Sequence, residues 1–474
     1  MKLIQVVSGL SVGDGVSNVV KTFDKLFQQN GYSTKTITGG LNSRIIAEIE
    51  SEDDAIVFYH AALTIDPMIT ILKCRKVMVF HNITFPYFFD GFDERLKIRA
   101  AHGWYDVSHI ADYFECAIVF SGFSRRCLVE NGWGNNRIYE VPILIRFDKL
   151  KGEINTDLLK RYKGNGTNLL FTGRICPNKK QEDIIYAFAE YKKRYCNEAK
   201  LFLVGGVTVE KYNAYLRDLI SKLCLDDSVI MSGFVPFSDY LAYYELADVY
   251  ICMSEHEGFC IPLVEAMFFQ KPIIAYDDNA ISDTMRGCEG LVNTKCPSAI
   301  AREIDKIVSD ERKKNEIVSH QNDRLKQLLP ETLEADYEKI VFDIVTNDQI
   351  VIKYKNKKVL NNAMWNVSLR DVGLEDGQKI VICGAGRVGK RVYHEIKDEM
   401  PEIDLTVCDS SPEKVDGEME VGKLLDTAKR NKDALYIISV QNKLSAREIF
   451  ESLLQKDIKA KNIFFYDSAI RDLF

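Results

Sequence analysis

The chain has 474 residues, 46% apolar and 28% charged, which is the balance of a soluble globular protein with room for about three domains. Lys and Arg number 62 against 69 Asp and Glu, a formal net charge of −7, which excludes broad electrostatic capture of nucleic acid, since that needs a basic stripe to displace counterions. The 12 cysteines include no CxxC pair and read as free, mostly buried thiols of a reducing compartment, neither a metal set nor a disulfide framework.

The first residues, MKLIQVVSGL, lack the basic head, long apolar core and small-residue cleavage site of a signal peptide. No stretch approaches the ~18 apolar residues of a spanning helix. The expectation is a cytoplasmic protein, with peripheral contact at the inner face of the plasma membrane left open.

Along the chain, short Val/Ile/Phe-rich runs at 3–7, 55–59, 76–80, 117–120 and 137–141 read as strands. Longer helical patterns such as 17–30 separate them. Near-continuous apolar strands with helices between them indicate a parallel sheet covered on both faces. The pattern resets at Gly164-Asn165-Gly166, and a second series follows at 168–171, 201–204, 229–231, 249–252 and 272–275, with helices at 181–195, 209–223 and 262–269. Residues 298–346 read as mostly helical and highly charged. A third α/β unit opens with a strand at 379–383, a helix from 388, strands at 404–408 and 434–440, and a helix at 446–455. The expected domains are therefore 1–160, 161–346 and 377–474, with 347–376 as a linker.

Two stretches carry most of the chemistry. In SEHEGFCIPLVEAM (254–267) an apolar strand runs into a helix with a proline at its start, so backbone N–H groups at Leu263 and Val264 and the positive end of the helix suit a phosphate. Glu257 precedes that helix and Glu265 lies in its first turn, so the carboxylates can meet different parts of one ligand. Gly258 lets the backbone come close, and Phe259 beside it is a candidate donor-binding residue. In FTGRICPNKK (171–180) a second strand tip presents Arg174 and Lys179, cations suited to a departing diphosphate.

GRICPNKK followed by EGFCIPLVEAM resembles the retaining GT-B glycosyltransferases of the large family 4, over roughly residues 1–346. The resemblance implies two facing Rossmann-like domains; the later segment IVICGAGRVG (380–389) separately resembles a Rossmann-type module attached to enzymes of bacterial surface-polysaccharide assembly. The family 4 resemblance implies that Arg174 and Lys179 bind the donor diphosphate and that Glu257 and Glu265 are the glutamates of the family's E-x7-E motif. Glu265 would accept ribose hydroxyls, and Glu257 would meet the transferred sugar. The loop SVGDGVSN, with Gly13 and Gly15, would lie under the donor phosphates. His81, at a strand tip, would stand near the donor sugar or acceptor hydroxyl; Ser121 and Ser124 are weaker candidates.

The implied reaction moves a sugar from a nucleotide-sugar to a glycan or lipid-linked glycan in capsule, O-antigen or related synthesis, with no metal and no cofactor required for transfer. In the third unit, IVICGAGRVG places Gly384, Gly386 and Gly389 in the G-x-G-x-x-G spacing after a strand, with Asp409 after the next one. That pattern fits a nucleotide, either NAD or a sugar nucleotide, or a docking domain that keeps the glycine turn. Two other classes stay open: an NAD-linked or sugar-nucleotide-modifying enzyme acting through this third unit, and a non-catalytic GT-B scaffold.

Overall fold

A computed structural model of the chain describes residues 1–11, 15–52, 54–162, 164, 166–346, 364–367, 379–399, 402–410, 421–440, 443–458 and 462–466. Among these, three six-stranded sheets are found, with every strand pairing parallel. The first contains β1 (Lys2–Val7), β2 (Ser33–Thr38), β3 (Ala55–Ala61), β4 (Arg75–Phe80), β5 (Cys116–Val119) and β6 (Ile138–Glu140), in the order β2-β1-β3-β4-β5-β6. The second contains β7 (Asn168–Thr172), β8 (Lys200–Val204), β9 (Val229–Gly233), β10 (Val249–Cys252), β11 (Ile273–Tyr276) and β12 (Leu291–Val292), in the order β12-β11-β10-β7-β8-β9.

The third sheet contains β13 (Met364–Val367), β14 (Lys379–Cys383), β15 (Asp404–Asp409), β16 (Val421–Lys423), β17 (Leu435–Ile438) and β18 (Ile463–Tyr466), in the order β13-β18-β17-β14-β15-β16. Each sheet reverses its winding once: at β1/β3, at β7/β10 and at β14/β17. A reversal splits the flanking loops to opposite sides and opens a crevice at the carboxyl ends of the strands, where ligands of such sheets bind.

The central strands are apolar throughout because both of their faces are covered. In β3, AIVFYHA, every residue is buried. Its Ile56 and Phe58 join a cluster with Phe23, Phe27 and Tyr337, while Val57 and Tyr59 face the other side. The helix Gly15–Gln29 buries Val19, Val20, Phe23, Leu26 and Phe27, the stripe of an amphipathic helix. The ring of Phe27 lies 4.8 Å from that of Phe58. Strand β2, STKTIT, is a polar edge strand with little apolar signal, and the sequence pattern does not announce it.

Two boundaries differ from expectation. The helix Pro330–Thr346, assigned from sequence to the second domain, returns to the first, burying Leu333, Tyr337, Val341 and Ile344 in the cluster that holds Leu3 and Phe58. Tyr337 Oη donates to the Pro142 carbonyl at 2.9 Å. Its last turn is capped from the first domain: Arg75 donates to the Val345 carbonyl at 3.1 Å and to the Ile344 carbonyl, satisfying orphan acceptors of the helix end. The second difference is β13, which lies inside the stretch 347–376 read as linker yet pairs with β18 as an edge strand of the third sheet.

Arg75 also grips Glu115 through two hydrogen bonds, of 2.7 and 2.8 Å. The Glu115 side chain is fully buried, and burial pushes its carboxyl above the usual range, an effect Arg75 only partly offsets. Arg75→Ala would leave a buried carboxylate and two helix-end carbonyls without this donor. It is expected to lower stability by roughly 3–5 kcal/mol in urea unfolding, and an unchanged midpoint would contradict this account.

Candidate active site

The loops that follow β7 and β10 flank the winding reversal of the second sheet, and they bring Lys179 and Glu257 together. Lys179 Nζ lies 2.6 Å from Glu257 Oε1, with the side chains 12% and 11% exposed. Burial, the largest influence, would lower the Lys179 pKa; the Glu257 carboxylate and Cys260 together more than offset it, so the ammonium is held above its ordinary value. Arg174, on the same loop, is exposed and near enough for its charge to oppose that of Lys179. Two cations thus stand on one loop, with the partly buried Glu257 carboxylate as the counter-charge of Lys179.

Residues the sequence did not single out hold this arrangement. Asn178 Nδ2 donates to the His256 carbonyl at 2.9 Å, and the Glu255 N–H donates to the Asn178 carbonyl at 2.9 Å, stitching the two loops together. Asn279, in a left-handed conformation at φ 46°, accepts the Glu257 N–H at 3.0 Å. Gln181 Nε2 reaches back to the Arg174 carbonyl at 2.9 Å. An Asn or Gln next to a Lys/Glu motif is too common in loops to be noticed without coordinates.

The first domain closes over the same loop. A Cβ on Gly258 would stand 2.6 Å from the His81 carbonyl, so the glycine is what admits the approach. Ser121 Oγ donates to the Gly258 carbonyl at 2.8 Å, and Ser124 lies within the same hydrogen-bonded set, so these serines act as interdomain fasteners. His256 Nε2 meets Asn82 Oδ1 at 3.1 Å, and Phe123 N donates to Asp283 Oδ2 at 2.7 Å. Gly15 opens the first helix, 3.5 Å from Ile261 of the second domain, measured from its would-be Cβ. Gly13 lies outside the described residues.

His81 is part of a relay. Gln5 Nε2 donates to the Val20 carbonyl at 2.9 Å, which turns Gln5 Oε1 toward His60 Nε2 at 3.1 Å. His60 is buried, and desolvation, with the neighbouring His81, drives its pKa far down, so the ring is neutral with its proton on Nε2. Its Nδ1 then accepts from His81 Nε2 at 2.9 Å. The tautomer of His81 is thereby set from beneath, by residues that no sequence motif marks.

Around the helix Ile261–Phe268 the structure departs from expectation at two residues, Leu263 and Phe259. The Leu263 N–H is not free, because it donates to the Cys260 carbonyl at 3.2 Å as the first turn tightens. Leu263 and Val264 side chains are fully buried. Phe259 is 3% exposed and packs in the cluster shared with the first domain, so it supports the loop from within and presents no side-chain surface to a ligand. Glu265 sits in the first turns as expected, and its Oε2 accepts from Tyr240 Oη at 2.6 Å and Tyr244 Oη at 3.0 Å. Burial raises the Glu265 pKa, and these two hydroxyls oppose that rise.

In the third domain the glycines have separate steric duties. Gly384 has φ 108°, and a Cβ at Gly389 would stand 1.8 Å from the Gly384 carbonyl, so helix and turn pack directly. Gly386 has open space where its Cβ would be. Asp409 Oδ2 accepts from the Ala385 N–H at 2.8 Å, bringing the carboxylate to the loop. Among the described residues, one group of possible metal ligands also lies beside Lys179: Cys252, Glu257 and Cys260.

His256 offers a test of this packing. Burial first, and Lys179 second, lower its pKa from 6.5 to about 3. As pH falls below 6.5 the unfolded chain takes up the proton before the folded one, so stability must fall, by roughly 2 kcal/mol by about pH 5. His256→Gln is expected to flatten that part of the stability–pH curve; parallel curves would contradict a buried neutral imidazole.

Residues 160–324 match the family described as Glycosyl transferases group 1. Similar proteins include the mannosylfructose-phosphate synthase of Agrobacterium fabrum, 27% identical over 31% of this chain and 31% of that protein. Another is the alpha-monoglucosyldiacylglycerol synthase of Streptococcus pneumoniae, 32% identical over 25% of this chain and 27% of its own length. The chain thus spans about a third or less of the length of these two relatives. Among solved structures, Anabaena Alr3699/HepE in complex with UDP has a TM-score of 0.55 at 17% identity, covering 72% of this chain and 100% of that one. At that identity the likeness speaks for the fold. Among the described residues no helix is long and apolar enough to cross a membrane. The chain therefore carries a Glycosyl transferases group 1 domain within an α/β fold of Rossmann-like parallel-sheet domains that matches GT-B glycosyltransferases.

Proposed function

We propose that this chain is a retaining glycosyltransferase that takes a nucleotide-sugar donor and a glycan or lipid-linked glycan acceptor, in bacterial surface-polysaccharide synthesis. The observation that carries the reading is the half-hidden Lys179–Glu257 pair at the β7/β10 reversal, with exposed Arg174 beside it, inside a group 1 domain. The Streptococcus pneumoniae relative is named for a glycolipid product and the Anabaena structure holds UDP, which supports a nucleotide-sugar donor and keeps a lipid-linked acceptor in view.

In this reading the donor diphosphate lies against Lys179 and Arg174. Lys179 has three N–H donors and can hold Glu257 and a phosphate oxygen together. As the bond from the anomeric carbon to the diphosphate oxygen breaks, negative charge grows on the leaving group, and the two fixed cations stabilise it without the reorganisation that water would need. The acceptor oxygen bonds to the anomeric carbon on the same face, and its proton passes to the departing diphosphate. His81, with its proton held on Nε2, orients sugar or acceptor hydroxyls. Glu257 meets hydroxyls of the transferred sugar, and Glu265 exchanges its tyrosine partners for the ribose. Metal is not required, since the cations take that electrostatic role.

The third domain is proposed to bind a nucleotide, NAD or a sugar nucleotide, at Gly384, Gly386, Gly389 and Asp409. The specific support is the open space over Gly386 at the β14/β17 reversal.

A thermal-shift screen against UDP-, GDP- and ADP-sugars, with NAD and NADP, tests both sites, since a ligand of the folded form raises apparent stability. One nucleotide-sugar set should shift the wild type, and Glu265→Ala should weaken that shift. A shift with NAD alone, retained in Glu265→Ala, would move the chemistry to the third domain. Lys179→Ala is expected to lower kcat by about 10²–10³-fold, measured as sugar transfer at saturating donor; full turnover would remove Lys179 from the site.

A further inference from the structure

We propose that Cys252, Glu257 and Cys260 form a binding site for a thiophilic divalent cation of the zinc class, and that its occupation closes the donor site. Cys252 ends β10 and Cys260 precedes the helix Ile261–Phe268, and the loop between them folds back on itself. Two Sγ atoms and a Glu257 carboxylate oxygen come to lie within 4.8 Å of one another. Two sulfurs and one oxygen at that mutual distance suit three ligands of a tetrahedral zinc set, with its fourth position left for solvent or another ligand.

A second observation points the same way. Cys260 has φ 69°, a left-handed conformation that a side chain enters only at a cost of roughly 1–2 kcal/mol. Glycine would take that backbone freely, so the position favours a residue without a side chain and nevertheless presents a thiol.

The surroundings are prepared for an ion. Cys252 and Cys260 are 1% and 7% exposed, and Glu257, at 11%, is the open edge. Cys252 Sγ is oriented by Ser254 Oγ at 3.3 Å, and the Glu257 backbone is held by Asn279 at 3.0 Å, the supporting contacts that keep ligands in place. Lys179 grips one carboxylate oxygen at 2.6 Å. Two thiolates and the carboxylate bring three negative charges, and the ion and Lys179 bring three positive ones, so the occupied set is neutral, as burial demands. Ligation releases two thiol protons to solvent.

The consequence rests on the donor site proposed above: an ion bound through Glu257 takes that carboxylate from the hydroxyls of the transferred sugar. Cobalt(II) reads the site without any donor, through thiolate-to-metal absorption in the near ultraviolet and tetrahedral bands in the visible. Reduced full-length protein is expected to show both bands at one equivalent, bleached by zinc. Cys260→Gly should abolish them while relieving the left-handed strain, so that it folds, as a thermal melt would verify; Cys252→Ala is the second variant. Unchanged bands in both variants, or none in the wild type, would overturn the site.

Zinc should also erase the nucleotide-sugar thermal shift of the wild type and spare that of Cys260→Gly. A shift that persists in zinc-loaded wild type would overturn the closure. If the metal-free protein binds no nucleotide-sugar at all, the transferase reading fails, while the cobalt bands still decide the metal site.

Discussion

The near-contact of Gly258 with the His81 carbonyl is the constraint on which the cleft depends. The two domains touch there through backbone, with 2.6 Å between the carbonyl and the place a Cβ would occupy. Ser121 fastens the Gly258 carbonyl from the first domain, and Asn178 and Asn279 anchor the residues on its N-terminal side. Glu257 lies between these anchors, so its carboxylate arrives at Lys179 with little freedom left. Ordering a charged side chain costs conformational entropy, and here the fold meets that cost before any ligand comes.

The electrostatics of the cleft follow from burial. A charge withdrawn from water must be paired or neutralised. Lys179 and Glu257 take the first course, while His60 and His256 take the second, desolvation holding both rings neutral. Glu265 stands between these cases, its carboxyl raised by burial and stabilised by two tyrosine hydroxyls. The tyrosines belong to a larger hydroxyl network in which Thr172 Oγ1 lies 2.7 Å from Tyr244 Oη. These hydroxyls are thus satisfied internally, and the positive charge of Arg174 is exposed.

Much of the fold was legible because its strands are buried on both faces. Runs such as AIVFYHA and KLFLV have no competing reading once helical patterns separate them. Strands β2 and β12 lacked that signal, one being a polar edge and the other two residues long. The motif residues Arg174, Lys179, Glu257 and Glu265 were legible through spacing at strand tips. The relay under His81 was not, because Gln5 and His60 sit inside strands where a polar residue looks like noise. The cysteines read from sequence as free, mostly buried thiols, and they are so in the structure; the eight positions between Cys252 and Cys260 are no ligand spacing, and only the folded loop brings both thiols near Glu257.

Local pattern in the chain determined which segments become strands and helices, where loops of special chemistry fall, and that the sheets are parallel. These follow from interactions within a few residues: alternation of burial, proline at a helix start, glycine at a close turn. Only the tertiary structure decided which loops share a cleft, that Arg75 caps a helix ending at Thr346, and that Tyr240 and Tyr244 meet Glu265. Such contacts depend on strand order and on how two domains face each other, and the energy that selects them is spread over the whole buried core, so no short stretch of residues carries it.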